Sequence, residues 1–284
     1  PHRNPRGDPF REQALMAVAN VLTLDDGQLD VWLLPPPESP RDVPMGDLDD
    51  RELRRVEAYR RSDDQRMYAA AHVGLRRVLA VYTGIAPRNL AIAGERYDGS
   101  GGRNGRPRVL GVPGAPQFSL SHSHGLALVA VAETRVGADV QRIPSAGTAE
   151  ACLPALHPVE REELEQLSED RRTAAFGRLW TRKEAYLKGI GTGLARGTHL
   201  DYLGEQRARD RPEGWVVGNL PLCDGHVAAV AILGGGDHRI VMRAVPDTLL
   251  YAQEAAERLA GVEPGLRTVL RDHRTRPSPS ARAA

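Results

Sequence analysis

Three short stretches carry residue types that could do chemistry. Ser121-His122-Ser123 places two hydroxyls and an imidazole just before Gly125. On a hairpin turn, with backbone N–H groups nearby, such a set can bind a phosphate. The run VGADVQ, residues 136–141, reads as a strand, so Asp139 and Gln141 project to one side. An Asp with an oxygen-bearing partner two residues on is half of a site for a hard divalent metal. In WTRKEAYLK, residues 180–188, a helix makes Glu184 and Lys188 neighbours one turn apart. Each stretch alone has a plain alternative: an ordinary polar turn, a solvated strand edge, or a surface ion pair worth roughly a few tenths of a kcal/mol.

The lysine count tips the third stretch towards chemistry. Of 38 basic residues only two, Lys183 and Lys188, are lysine; the other 36 are arginine. A chain that uses arginine this consistently would build an ordinary surface pair as Glu–Arg. Two ammonium groups within six residues point to a compact charge with a tunable pKa, which the planar guanidinium does not offer.

The elements that must position these groups can be read from the same 284 residues, of which 41% are hydrophobic. That length allows one large domain or two ordinary ones. The absence of a long apolar run excludes a membrane span, and a net charge of +1 argues against a bulk nucleic-acid binder. Cys152 and Cys223 lack the spacing of a zinc site or disulfide framework. Residues 29–34 (LDVWLL) read as a strand closed by three prolines. Helical spacing covers 47–82 as a short and a long helix ended by Gly84. Strand-like residues 90–93 and 109–110 flank a Gly-rich loop at 99–105, and 118–133 read as strand, turn and strand. Residues 136–140 form a further strand. Helix resumes after Pro144 and stops at 189–193. Strands follow at 215–217, 227–233 and 239–245, with Asp224-Gly225 as a hairpin turn, and a last helix covers 248–259. The order implies an α+β fold in two halves: a disordered or extended leader (1–28), lobes at 29–143 and 144–246, a helical extension (247–272) and a disordered tail (273–284). The chain start lacks the apolar run of a secretory signal, so a soluble, cytoplasmic protein is expected. A site at the seam of the two halves is the natural arrangement.

Taken in order, FSLSHSHGLALVAVAE, VGADVQ and LWTRKEAYLKGIGTGL resemble the 4′-phosphopantetheinyl transferases. The likeness is greatest to their longer, two-lobed class, typified by the surfactin-synthetase-activating enzyme. The Gly-Arg-Pro step at 105–107 and the run RRSDDQR at 60–66 match the family's corresponding segments. The resemblance implies two pseudo-symmetric α+β lobes in a monomer, with the site at the seam. It implies Mg²⁺-dependent transfer of the phosphopantetheine arm of coenzyme A to a serine of an apo acyl or peptidyl carrier protein, releasing 3′,5′-ADP. Asp139 and Glu184 would hold the metal, with Glu184 also the general base and Lys188 acting on the leaving diphosphate. Lys183 would add positive charge there. Ser121, His122, Arg106 and Arg66 would bind the 3′-phosphate of coenzyme A, with Arg54 near the phosphates. The resemblance leaves open whether the carriers served would be those of fatty-acid, polyketide or nonribosomal-peptide synthesis.

One position departs from the family pattern. Where Gly-x-Asp-x-Glu is common, this chain has Gln141, which brings an amide oxygen but no charge, so three-carboxylate coordination is not expected. Two other readings use the same residues: a metal-dependent nucleotide-diphosphate hydrolase, and a non-catalytic binder of coenzyme A or carrier proteins.

Overall fold

A computed structural model of the chain describes residues 21–94, 105–222 and 225–274. The Gly-rich loop expected at 99–105, the first 20 residues of the leader, Asp224 and most of the tail lie outside the described residues, apart from Gly105.

The first strand, β1 (Gln28–Leu34), is buried on both faces and ends where Pro35 removes a ladder donor. Helix α1 (Asp50–Glu57) opens on a capping box: Asp49 accepts from the Glu52 N–H, and Glu52 accepts from the Asp49 N–H. The long helix α2 (Ser62–Thr83) closes at Gly84, whose φ of 71° is the left-handed stop that glycine adopts without strain. A two-stranded ribbon follows, β2 (Ile92–Gly94) with β3 (Pro107–Val109). The hairpin β4 (Gln117–Ser123) and β5 (Leu126–Ala132) turns on two residues, His124 and Gly125, at φ 40° and 86°. Both are positive, as a type I′ turn requires. Next come β6 (Val136–Arg142), the short helices α3 (Ala146–Cys152) and α4 (Pro158–Glu165), and the second long helix, α5 (Glu169–Ile190). Strands β7 (Trp215–Leu220), β8 (His226–Leu233) and β9 (His238–Ala244) complete the second half.

The terminal segment differs from the single helix expected over 248–259 and from the helical extension expected over 247–272. It holds two short helices, α6 (Asp247–Leu250) and α7 (Ala255–Leu259), and then a strand, β10 (Leu266–Leu270), antiparallel to β9. Pro264 and Gly265 keep helix from resuming after Leu259, and the five-residue strand is too short to show its own period against the helical pattern before it.

Two main sheets result, ordered β10-β9-β1-β5-β4 and β6-β8-β7. Every pairing is antiparallel except β1 with β9. Side-chain alternation stacks four layers. On β5, Val129 and Val131 pack with Leu75 and Leu79 of α2, while Leu128 and Ala130 meet Ala138, Val140 and Val230 of the smaller sheet. On β8, Val230 and Ile232 face that inter-sheet core, while Ala229 and Ala231 pack with Phe176, Leu179 and Leu187 of α5.

The chain shows its internal symmetry in how it crosses between sheets. Each 22-residue helix is followed by a hairpin and then by a strand that leaves for the other sheet. β6, from the first half, pairs with β8; β9, from the second, pairs with β1. A cut of the chain at 143/144 therefore divides neither sheet cleanly.

Candidate active site

The strand β6 sets one half of the site. Alternation turns Gly137, Asp139 and Gln141 towards α5, and Ala138 and Val140 into the inter-sheet core. A Cβ at Gly137 would fall onto the Ala185 carbonyl oxygen and the Gly189 amide nitrogen of α5. The strand thus lies backbone against backbone on the helix, which only glycine permits. This contact brings Asp139 within reach of the helix's last turn.

Asp139 is almost fully buried, at 1% exposure. Its Oδ1 accepts from Lys188 Nζ at 2.7 Å and from Ser121 Oγ at 2.7 Å, and Lys188 Nζ also donates to Ser121 Oγ at 2.9 Å. Oδ2 is buried and has no hydrogen-bond partner among the described residues. The Glu184 carboxyl lies one turn before Lys188 on α5. Burial pushes its pKa above the usual carboxylate range, the charge of Asp139 adds to the rise, and Lys188 opposes it. The ion pair of Lys188 is with Asp139; among the described residues none joins it to Glu184. Gln141 is half-buried two residues on from Asp139. No group of three His, Cys, Asp or Glu side chains suited to a metal occurs among the described residues. What is present is two acidic groups, one with an unsatisfied buried oxygen, and that oxygen donor set suits a hard cation.

The motif Ser-His-Ser lies in β4, not in the turn. Alternation therefore sends its serines and its histidine to opposite faces. Ser119, Ser121 and Ser123 use their hydroxyls to accept from the backbone N–H groups of Ala138, Val140 and Arg142, at 3.0, 3.2 and 3.2 Å. Side-chain oxygens thus stand in for a backbone ladder where the edges of the two sheets meet. The serine period in F-S-L-S-H-S was visible in the sequence as a period-two pattern; its meaning needed the partner strand.

His122 faces an open cleft of about 640 Å³. Arg61 and Arg66 of the α2 start, Arg142 at the end of β6, and His124 line it as well. Arg66 donates to the Glu38 carbonyl at 3.2 Å. Burial lowers the His122 pKa to about 4, with the charges of His72 and Lys188 pushing the same way and Asp139 opposing. The imidazole is neutral at pH 7 and offers one N–H. Arg106 is buried, its backbone against Gly191 at the end of α5.

The sequence profile of the 4′-phosphopantetheinyl transferase superfamily matches residues 135–218, which span β6, α5 and β7. A protein of Nostoc sp. named 4′-phosphopantetheinyl transferase HetI is 31% identical over 231 residues, covering 76% of this chain and 92% of its own. The chain belongs to the 4′-phosphopantetheinyl transferase family. A 4′-phosphopantetheinyl transferase of Bacillus subtilis is 28% identical over 186 residues, covering 63% of this chain and 76% of its own. An L-aminoadipate-semialdehyde dehydrogenase-phosphopantetheinyl transferase of Eremothecium gossypii is 38% identical over 133 residues, with 44% and 45% covered.

The structure brings Asp139, Glu184 and Lys188 together beside the end of α5, with Gln141 next along β6, while His122 and Arg66 line the cleft and Arg106 packs at Gly191. Three residues depart from the expected arrangement. Lys183 is 1% exposed and turned away from the seam, since it lies 100° round the helix from Glu184. Its ammonium meets the carbonyls of Thr198 and Asp201 and the Glu160 carboxylate, each at 2.7 Å. Burial lowers its pKa against the opposing pull of Glu160. Arg54 is exposed on α1 and is not among the residues that line the cleft. Ser121 is at the seam, but its hydroxyl faces Asp139, not the cleft. Arg61 and Arg142, which were not singled out as site residues from the sequence, stand in the cleft wall; Arg61 lies within the run RRSDDQR, whereas Arg142 had no distinguishing signal among 36 arginines.

Proposed function

We propose that this site moves the 4′-phosphopantetheine group of coenzyme A to a serine of an apo carrier protein. The observation that carries this is Asp139: a buried carboxylate with one oxygen held by Lys188 and Ser121 and the other unsatisfied, beside Glu184. Mg²⁺ fits these two carboxylates, with Gln141 adding at most a neutral oxygen. When bound there, it would neutralise charge building on the diphosphate.

The chain's own residues account for the rest. The carrier serine oxygen forms a bond to the β-phosphorus, and the bond from that phosphorus to the bridging oxygen breaks, releasing 3′,5′-ADP. Glu184, its pKa raised, takes the serine proton. Lys188 places its ammonium where the bridging oxygen, which leaves with 3′,5′-ADP, gains charge. His122 and Arg66 hold the 3′-phosphate in the cleft, which Arg61 and Arg142 line together with Asp63 and Asp64; Arg106 is assigned to the same phosphate on the family motif alone.

Two lobes within one chain support a monomer of the longer, two-lobed class. No helix among the described residues is long and apolar enough to cross a membrane, and a reaction on coenzyme A supports a cytoplasmic place. The carriers are acyl or peptidyl carrier proteins of fatty-acid, polyketide or nonribosomal-peptide synthesis.

Fluorescently tagged coenzyme A, Mg²⁺ and an apo carrier test this directly. Label on the carrier serine supports transfer. Release of 3′,5′-ADP without a carrier would make the protein a hydrolase, and binding without either product would make it a non-catalytic binder.

A further inference from the structure

Ser121 carries the strongest unassigned observation. A hydroxyl has one proton and two lone pairs, and in Ser121 all three are engaged. The proton goes to Asp139 Oδ1 at 2.7 Å; the lone pairs accept from the Val140 N–H at 3.2 Å and Lys188 Nζ at 2.9 Å. The residue is 5% exposed. A phosphate oxygen could only take its proton away from Asp139, because phosphate at neutral pH accepts and does not donate. His122, next in the strand, faces the opposite way, into the cleft.

We infer that Ser121 is a positioning residue for the transfer reaction and not a ligand of the 3′-phosphate. It ties Asp139 Oδ1 and Lys188 to the backbone of β6, so that Oδ2 is the oxygen left to act. Removing the hydroxyl leaves the Asp139–Lys188 pair without its third member, so Asp139 can turn and Lys188 can follow it. Arrangements displaced by about 1 Å cost roughly a hundredfold in rate. The neighbouring Ser119 supplies a matched comparison within the same strand. It makes the same kind of bond to β6, from the Ala138 N–H at 3.0 Å, and the structure gives it no bond to Asp139 or Lys188. Loss of either hydroxyl costs β6 one backbone partner; only loss of Ser121 disturbs the acid and the amine.

This inference rests on the transferase reading, and the experiment separates the two. Wild type is assayed first with an apo carrier; failure there sinks the transferase reading before any variant is made. Ser121→Ala, Ser119→Ala and His122→Ala are then compared with coenzyme A and with 3′-dephospho-coenzyme A. For Ser121→Ala, kcat is expected to fall tenfold or more with both substrates, while the ratio of their KM values stays at the wild-type figure. Ser119→Ala should keep kcat within about threefold, and His122→Ala should collapse the KM ratio. Mn²⁺ binding to the free protein, followed by electron paramagnetic resonance, should weaken severalfold in Ser121→Ala and not in Ser119→Ala. If Ser121→Ala does not fold, Ser121→Cys keeps the volume without a good hydrogen-bonding hydroxyl and should show the same pattern. A collapsed KM ratio with kcat on the dephospho substrate unchanged would make Ser121 a phosphate ligand. Equal losses in Ser119→Ala and Ser121→Ala would reduce it to a structural rung. Either result overturns the inference.

Discussion

The two lysines show how far apart neighbouring residues can be in role. Lys188 meets Asp139 and Ser121 at the seam, the place proposed for its action on the diphosphate of coenzyme A. Lys188→Arg keeps the charge but replaces a compact ammonium by a planar fork, and should cost most of the transfer rate while leaving the melting temperature within a few degrees of wild type. Lys183 also needs an ammonium, for another reason: three acceptors surround one nitrogen. Lys183→Met leaves Glu160 charged, buried and without its partner, so chemical denaturation should show a loss of about 3–5 kcal/mol. At the proposed metal position, Asp139→Ala and Glu184→Ala should abolish labelling of the carrier, whereas Gln141→Ala should retain a substantial rate because a neutral amide contributes little. His122 adds a dependence on pH. Its pKa is near 6.5 unfolded and about 4 folded. The unfolded chain therefore takes up the proton first as pH falls, and stability is lost between pH 6.5 and 4, by at most about 3 kcal/mol and less where solvent screens the ring. In urea titrations from pH 7 to 4, His122→Gln should lack that part of the decline; an unchanged slope would show that His122 does not carry it.

At the scale of elements, the site exists because a strand and a helix touch through their backbones. Gly137 and Gly189 make that contact, and the rows of residues that follow Gly137 on β6 and precede Gly189 on α5 supply Asp139, Glu184 and Lys188. Gly137→Ala must push β6 off α5 by more than a rotamer change can absorb, because the atoms it meets are backbone. The expected outcome is a loss of stability of about 3 kcal/mol or more, with kcat in the surviving folded protein down at least tenfold. Both long helices, the hairpin read over 118–133 and the strand read over 136–140 were legible in the sequence, since each has a local period and a local stop. The placement of Ser121 was not. A hairpin with Ser-His-Ser near its tip reads as a polar turn until the loop is known to use only two residues, His124 and Gly125, which returns the serines to the strand.

Across the whole molecule, the lobes are interlocked and not merely adjacent. β6 and β9 each complete the other half's sheet, and the terminal strand β10 closes the edge beyond β9. Leu270, its last residue, reaches the inter-sheet core, its Cδ1 filling the space that a Cβ on Gly218 would occupy. Leu270→Ala should therefore cost about 2–4 kcal/mol of stability, read by chemical denaturation, although the residue lies outside every motif. The sequence by itself determined the order of the motifs and the helices and hairpins that carry them, which follow from local periodicity and residue type; the family came from the resemblance of those motifs to known sequences, and with it the proposed carboxylates and amine. Only the tertiary structure decided which way each side chain faces a second element: that Lys183 serves the loop at 198–201, that Ser121 serves Asp139, and that β6 and β9 change sheets. Those outcomes depend on contacts between residues far apart in the chain, here Ser121 with Lys188 and Gln28–Leu34 with His238–Ala244. A local pattern holds no record of its distant partner.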